Sequence, residues 1–595
     1  MTTENKLLLT PSDILEKLEF DRILERLATY CHGDLAVERA LSLFPSSDFK
    51  GIQLSLEETD ECLSGISEGE VFPMSKYSPL EEDLRFLALE ESVLTEEAMV
   101  RIHQTLHLMD RIVRFFSPER KHRYKKLGSL VERVPHEPAL SKAIRKVLDE
   151  EGNIREDASE TLQRIRRKKN SLAIDLDRVF KKLITEYRKK GYLADSVESV
   201  RNGRRVFTIA SEHKRKIHGI IHDESATGKT AFIEPEPILK INNDLFDLDT
   251  EERKEIYRIL KSLSALLRPH IELISDSLKT LIKLDMIQAK AHFASAYKGV
   301  APKFKDLPRI GWKEAYHPLL LLKNFEEKKE TVPFDLDLRG SNKMVVLSGP
   351  NAGGKSVTMK SVGLLQMMLQ SGMLVPCDPD SEIGLFKKLC ADIGDQQSLE
   401  DDLSTYSSRL KNMKEFLEVC DETSLVLIDE FGSGTDPKIG GAIAESILRS
   451  LHHKKVFGLI TTHYPNLKIF AFKTRGILNA SMTFDKKDLK PTYELKVGTP
   501  GSSYAFEIAQ NSGLGKEILQ YARKRVGKNE RAVDQLLIDL QRESQELKEE
   551  LKKVEGKEKK LSQLIKNYEQ LFKDMEFRRK KMKLEAKQQN LQQVA

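Results

Sequence analysis

Residues 349 to 356, Gly-Pro-Asn-Ala-Gly-Gly-Lys-Ser, have the G-x-x-x-x-G-K-S spacing that suits a polyphosphate. The apolar run Val345-Val346-Leu347-Ser348 precedes them, and Met359, Val362, Leu365 and Met368 follow at helical spacing. Backbone N–H groups of such a loop converge on an anion, and the following helix adds its positive end. Lys355 would pair with the β- and γ-phosphates, and Ser356 would hold Mg²⁺. Downstream, Ser424-Leu425-Val426-Leu427-Ile428 reads as a buried parallel strand ending in Asp429-Glu430. Asp429 would support the Mg²⁺ shell, and Glu430 would polarise the attacking water. A third apolar run, Val456 to Ile460, leads into Thr461-Thr462-His463. Taken alone, His463 reads as an ordinary core or surface histidine. Parallel strands deliver their carboxyl ends to one crevice, so three such ends in order indicate an ATPase.

The elements that would position these groups occupy residues 301–526, opened by Pro302 and Pro308. Before them, residues 1–137 read as an N-terminal helical core, with helices over Ile14 to Tyr30 and Asp34 to Leu43. Residues 138–300 read as long helical arms carrying a small β-rich clamp tip at about 195–235. Arg201, Arg204, Arg205, Lys214, Arg215 and Lys216 would make that tip basic, as phosphate contacts require. The run Arg164 to Lys169 reads either as a solvated helix face or as a nucleic-acid contact. In residues 527–595, Leu540, Leu547, Val554, Leu561, Tyr568, Met575 and Met582 recur every seventh position. Leu551, Ile565 and Phe572 fill a second seam, interrupted at Glu558 and Arg579, which predicts a C-terminal coiled coil. The expected fold class is mixed α and α/β.

At 595 residues the chain exceeds one core. Charged residues make up 32% but sum to only +5, so basic surface must come from local clustering. Cys31, Cys62, Cys377, Cys390 and Cys420 lack C-x-x-C spacing, which argues against zinc and for a reducing cytoplasm. Leu7-Leu8-Leu9 before Thr10-Pro11-Ser12-Asp13 reads as a capped helix start rather than a signal peptide, and no run approaches membrane-spanning length. Two look-alikes are discounted. Gly228-Lys229-Thr230 ends like a phosphate loop, but position 223 is Asp; Phe232-Ile233-Glu234 imitates a mismatch-reading wedge, but lies mid-chain.

The run Gly349 to Ser356 resembles the MutS family of DNA mismatch-repair ATPases. So do Ala391 to Ser398, Leu403 to Ser408, Asp429 to Pro437 and Thr461-Thr462-His463-Tyr464. Leu18 to Leu24, Val200 to Ile209, His222 to Ser225, Phe232 to Pro235 and Gly498 to Ala509 are similar to the second bacterial MutS paralogue, which lacks the mismatch-reading domain. The resemblance implies an ABC-type ATPase homodimer using ATP and Mg²⁺, each nucleotide lying between one subunit's phosphate loop and the other's Ser404 segment. It assigns nucleotide binding to Gly349, Pro350, Asn351, Ala352, Gly353, Gly354, Lys355, Ser356 and Val357, with Gln396 reporting nucleotide state. Asp429 and Ser356 would serve the metal, Glu430 the base role, and His463 γ-phosphate sensing. The branch usually carries a C-terminal nuclease domain with a Leu-Asp-x-His-Gly segment, which is not found here, so endonuclease activity is not expected. Two partners are implied: duplex or branched DNA, in repair or restraint of recombination, or collided ribosomes and their rRNA. A chromosome-organising scaffold fits less well, because Lys355 and Asp429 share one compact unit.

Overall fold

Met344–Ser348, Ser424–Ile428 and Phe457–Thr461 are strands buried at every position, as unbroken apolar runs require when both faces of a sheet are covered. They belong to a computed structural model that describes residues 6–149, 151–350, 353–394, 405–485, 490–501, 509–510, 513–525 and 528–593. The chain is mixed α/β and forms two compact units. One holds Met1–Ile23, Phe44–Leu56 and Ala294–Ala595; the other holds Leu24–Leu43 and Glu57–Phe293.

The first unit is built on a seven-stranded sheet in the order Leu8–Thr10, Lys388–Asp392, Ser424–Ile428, Phe457–Thr461, Met344–Ser348, Ile477–Asp485, Lys490–Val497. All neighbours are parallel except the last pair. The registers Asp392↔Ile428, Ile428↔Ile460 and Leu347↔Thr461 level the strand ends at one edge. Helices Lys355–Gln370, Thr405–Val419 and Pro437–His453 accompany the sheet. Met359, Val362, Leu365 and Met368 are fully buried. At Gly363 a Cβ would lie 2.7 Å from Leu427 Cδ1 and 2.9 Å from Leu18 Cδ1, so glycine lets this helix approach the sheet.

The N-terminal reading differs from the structure. Leu8–Thr10 is an edge strand paired with Lys388–Cys390 in the sheet unit, not part of a helical core over residues 1–137. The expected helix from Ile14 to Tyr30 is divided into Ile14–Lys17 and Phe20–Ala28, with Glu19 between them at φ 61°.

In the second unit, Pro138–Val147 and Glu160–Lys189 are separate helices. Between them Asp149 Oδ1 accepts from the N–H groups of Glu151 and Asn153, both at 2.9 Å, and Ser159 caps the second helix through Leu162 N–H at 3.0 Å. That helix pairs with Glu236–Leu267 through Arg166–Glu252 at 2.7 Å and Ser159–Glu255 at 2.7 Å. Four antiparallel strands follow, in the order Leu193–Arg201, Arg204–Ala210, Thr230–Pro235, Gly219–Glu224. Asn202-Gly203, with φ of 51° and 74°, makes the first hairpin turn. Phe207 stacks on Phe180 with ring centroids 4.0 Å apart, anchoring the sheet to the helix.

Lys528–Gln593 is one helix. Leu547, Leu551, Val554, Leu561, Ile565, Tyr568, Phe572, Met575 and Met582 along it are all more than half exposed. No described helix is long and apolar enough to cross a membrane.

Candidate nucleotide site

Gly349 and Gly354 adopt φ of 133° and 91°, which lets the chain curl between strand Met344–Ser348 and helix Lys355–Gln370. A Cβ on Gly353 would sit 3.2 Å from Met482 Cβ, and one on Gly354 3.3 Å from Tyr493 Cδ1, so a side chain at either position would crowd its neighbour. Lys355 is buried at 3% exposure, and its Nζ donates to Gly349 O at 2.6 Å. Burial pushes its pKa down to about 8, against the pull of Asp429 and Glu430, and a bound anion would further favour the charged form. Ser356 and Val357 are exposed in the first helical turn, and Gly349 and Pro350 are buried. Asn351, Ala352, Gln396 and Ser404 lie outside the described residues.

Three strand ends bring the other groups alongside. Asp429 is buried after Ser424–Ile428, and Thr461 Oγ1, from the adjacent strand, donates to its Oδ1 at 2.5 Å. The same hydroxyl accepts from Glu430 N–H at 2.8 Å, so it bridges the two acidic residues. Glu430 is half-buried. His463 follows Thr462 with its Nε2 3.2 Å from Lys355 Nζ. Partial burial, then the cations of Lys355 and Lys468, push the imidazole below its usual pKa, so the neutral ring accepts the lysine proton. The structure thus brings Lys355, Asp429, Glu430 and His463 to one edge. Among the described residues no group of three or more His, Cys, Asp or Glu could hold a metal. The oxygens of Asp429 and Ser356 fit Mg²⁺, which takes few protein ligands and completes its shell with phosphate and water.

Sequence reasoning missed Arg409. It lies one turn into Thr405–Val419, and its Nη1 donates to Ser433 Oγ at 2.6 Å and to Glu430 O at 3.2 Å. Its only sequence signal is a charge one turn into that helix. Also missed was a cleft of about 340 Å³ beside the loop, lined by His317, Leu320, Phe334, Val357, Met482 and Tyr493 among others. A cleft of this size and apolar lining suits a planar ligand group.

His317 caps helix Pro318–Glu327, its Nδ1 accepting from Leu320 N–H at 3.4 Å, and burial holds its pKa at about 4. The unfolded chain takes up this proton near pH 6.5, whereas the folded chain does so only near 4. Between those values the histidine should remove up to about 3 kcal/mol of stability as pH falls. His317→Asn keeps a capping acceptor, so urea melts should show similar stability at pH 7 and a shallower acid loss. An unchanged loss from pH 6.5 to 4 would contradict this.

The tip meets its expectation only in part. Arg201 stacks 3.8 Å from the Phe232 ring centroid and lies 3.6 Å from Asp223. Arg204 binds both oxygens of fully buried Glu234, at 3.1 and 3.2 Å. Arg205 pairs with Asp177 and, at 2.8 Å, with Glu198; Lys214 pairs with Glu224 at 2.7 Å. These four therefore face carboxylates supplied by neighbouring elements, whereas Arg215 and Lys216 are exposed. Glu234 also accepts from Asn242 at 2.8 Å and lies 2.6 Å from His222 Nε2, which gives the Phe-Ile-Glu run a structural explanation. Gly228, at φ 65°, serves the turn before Thr230–Pro235.

Residues 345–530 match the family model for MutS domain V. Over 539 residues the chain is 33% identical to the Endonuclease MutS2 of Geobacillus sp. (strain WCH70), spanning 90% of this chain and 68% of that protein. It is 36% identical over 536 residues to the Endonuclease MutS2 of Carboxydothermus hydrogenoformans, spanning 90% and 67%. A protein of the same name from Lachnospira eligens is 36% identical over 527 residues, spanning 89% and 66%.

Proposed function

The chain belongs to the MutS2 branch of the MutS family, and we propose that it is a Mg²⁺-dependent ATPase working as a homodimeric clamp on duplex or branched DNA. The observation that carries this reading is the convergence of Lys355, Asp429, Glu430 and His463 at one sheet edge beside the glycine turn. ATP supplies the phosphoryl bond to be broken, and Mg²⁺ would neutralise charge on its phosphates. Lys355 would bind the β- and γ-phosphates, and Ser356 and Asp429 would hold the metal. Glu430 orients a water and takes its proton, and His463 contacts the γ-phosphate. Phe334 and His317 line the wall of the cleft that would receive the base. Engagement of Ser404 with the partner's nucleotide closes the dimer, and the exposed apolar positions of Lys528–Gln593 support pairing of two copies as a coiled coil.

On the tip, Arg215 and Lys216 are the proposed phosphate contacts. Phe232 is covered by Arg201, and Glu234 is buried, so this run is not free to intercalate. Mismatched and perfect duplexes should therefore compete equally for the protein, with affinity falling steeply as salt rises. A clear preference for the mismatch would contradict the reading. Crosslinking in cells followed by sequencing tests the target: recovered DNA is expected, and predominant recovery of rRNA would replace the DNA clamp with a ribosome-binding one.

A further inference from the structure

Glu430 has φ 47°, a left-handed backbone that residues with a Cβ rarely adopt. Such a conformation persists only where the surroundings over-determine it. On its amide side, Thr461 Oγ1 accepts the N–H at 2.8 Å. On its carbonyl side, Ser433 N–H donates at 3.1 Å and Arg409 Nη1 at 3.2 Å. Arg409 Nη1 also donates to Ser433 Oγ at 2.6 Å and lies 3.5 Å from Asp429 O. Its Nη2 reaches Gly394 O at 3.5 Å, and its Nε stands 4.0 Å from Asp392 Oδ2. The side chain is 12% exposed, so these contacts are made largely out of water. A planar guanidinium spans several such oxygens at once, which the single ammonium of lysine cannot do.

We propose that Arg409 is a positioning residue for Glu430 of its own chain, fixing the turn from Asp429 to Ser433 so that the carboxylate is aimed at the attacking water. The arginine touches backbone and a hydroxyl here, so it acts through Glu430 rather than on the nucleotide. The inference rests on Glu430 being the base.

A misaimed base costs rate rather than affinity, and displacement of about 1 Å can cost on the order of 10²-fold. Arg409→Ala should lower kcat by roughly 10- to 100-fold, with KM for ATP within about twofold. Arg409→Lys should recover part of the loss, and it carries the comparison if the alanine variant melts early. The decisive measurement is single-turnover hydrolysis in a Glu430→Gln background. There Arg409→Ala should add less than about a twofold loss, because the group it positions no longer takes a proton. An equal fold-loss in both backgrounds, a loss confined to KM, or an unchanged kcat would each overturn the proposal. Near wild-type hydrolysis by Glu430→Gln alone would instead remove the reading of Glu430 as base, so the two failures are separable.

Discussion

Glu430→Gln is expected to hydrolyse ATP roughly 10²- to 10⁴-fold more slowly while still binding it. Glu430 follows a fully buried strand and is half-buried, and its backbone, at φ 47°, donates its N–H to Thr461 Oγ1 and accepts at its carbonyl from Arg409 Nη1. An amide occupies the same space and leaves those backbone bonds intact. If Glu430 is the base, as proposed, what the amide removes is the ability to accept the water's proton at the moment of attack. On the proposed reading, nucleotide binding rests on Lys355, the glycine turn and the adjoining cleft, none of which contains Glu430. Steady-state turnover together with binding of a fluorescent ATP analogue would separate the two effects. Turnover close to wild type would exclude Glu430 as the base, and loss of binding would assign it to the nucleotide pocket.

The strand ends were legible because fully buried parallel strands leave a simple mark: a short, mostly apolar run, then the polar group it delivers. Ser424–Ile428 followed by Asp429-Glu430 is of this kind. Leu8–Thr10 was not, since three residues before a helix carry no period, and pairing with Lys388–Cys390 appears only when the sheet is assembled. Charge on the tip was legible as composition but not as surface. Asp177 and Glu234, the partners of Arg205 and Arg204, lie 28 and 30 residues away in sequence. Thr461 shows the same limit within the site. Its place beside His463 was visible, yet its bridge between Asp429 and Glu430 needs the register that sets Phe457–Thr461 next to Ser424–Ile428. Arg409 was hidden for the same reason, because its acceptors come from the ends of two other strands.

Lys355→Ala and Ser404→Arg, each nearly inactive alone, are expected to regain ATPase activity when mixed. Lys355 is the buried cation of the loop, its Nζ between Gly349 O and His463 Nε2, and alanine leaves the phosphates without it. Ser404 directly precedes the described helix Thr405–Val419 in sequence, and a serine hydroxyl near a helix N-terminus is a group that an anion can use. If that anion is the partner's γ-phosphate, arginine in its place obstructs the neighbour's site and leaves its own phosphate loop intact. A mixed dimer then keeps one complete site, built from Lys355 of the Ser404→Arg subunit and Ser404 of the Lys355→Ala subunit. With random exchange at equal amounts, half the dimers are mixed and about a quarter of all sites are complete. The competing account makes Ser404 an ordinary helix cap worth about 1 kcal/mol to its own helix. Each chain's site would then be self-contained, and mixing would give only the sum of the two residual activities. Rates measured across mixing ratios, after subunit exchange has been verified by a tag on one variant, distinguish a peak near equal amounts from a straight line, and the straight line would refute the shared site.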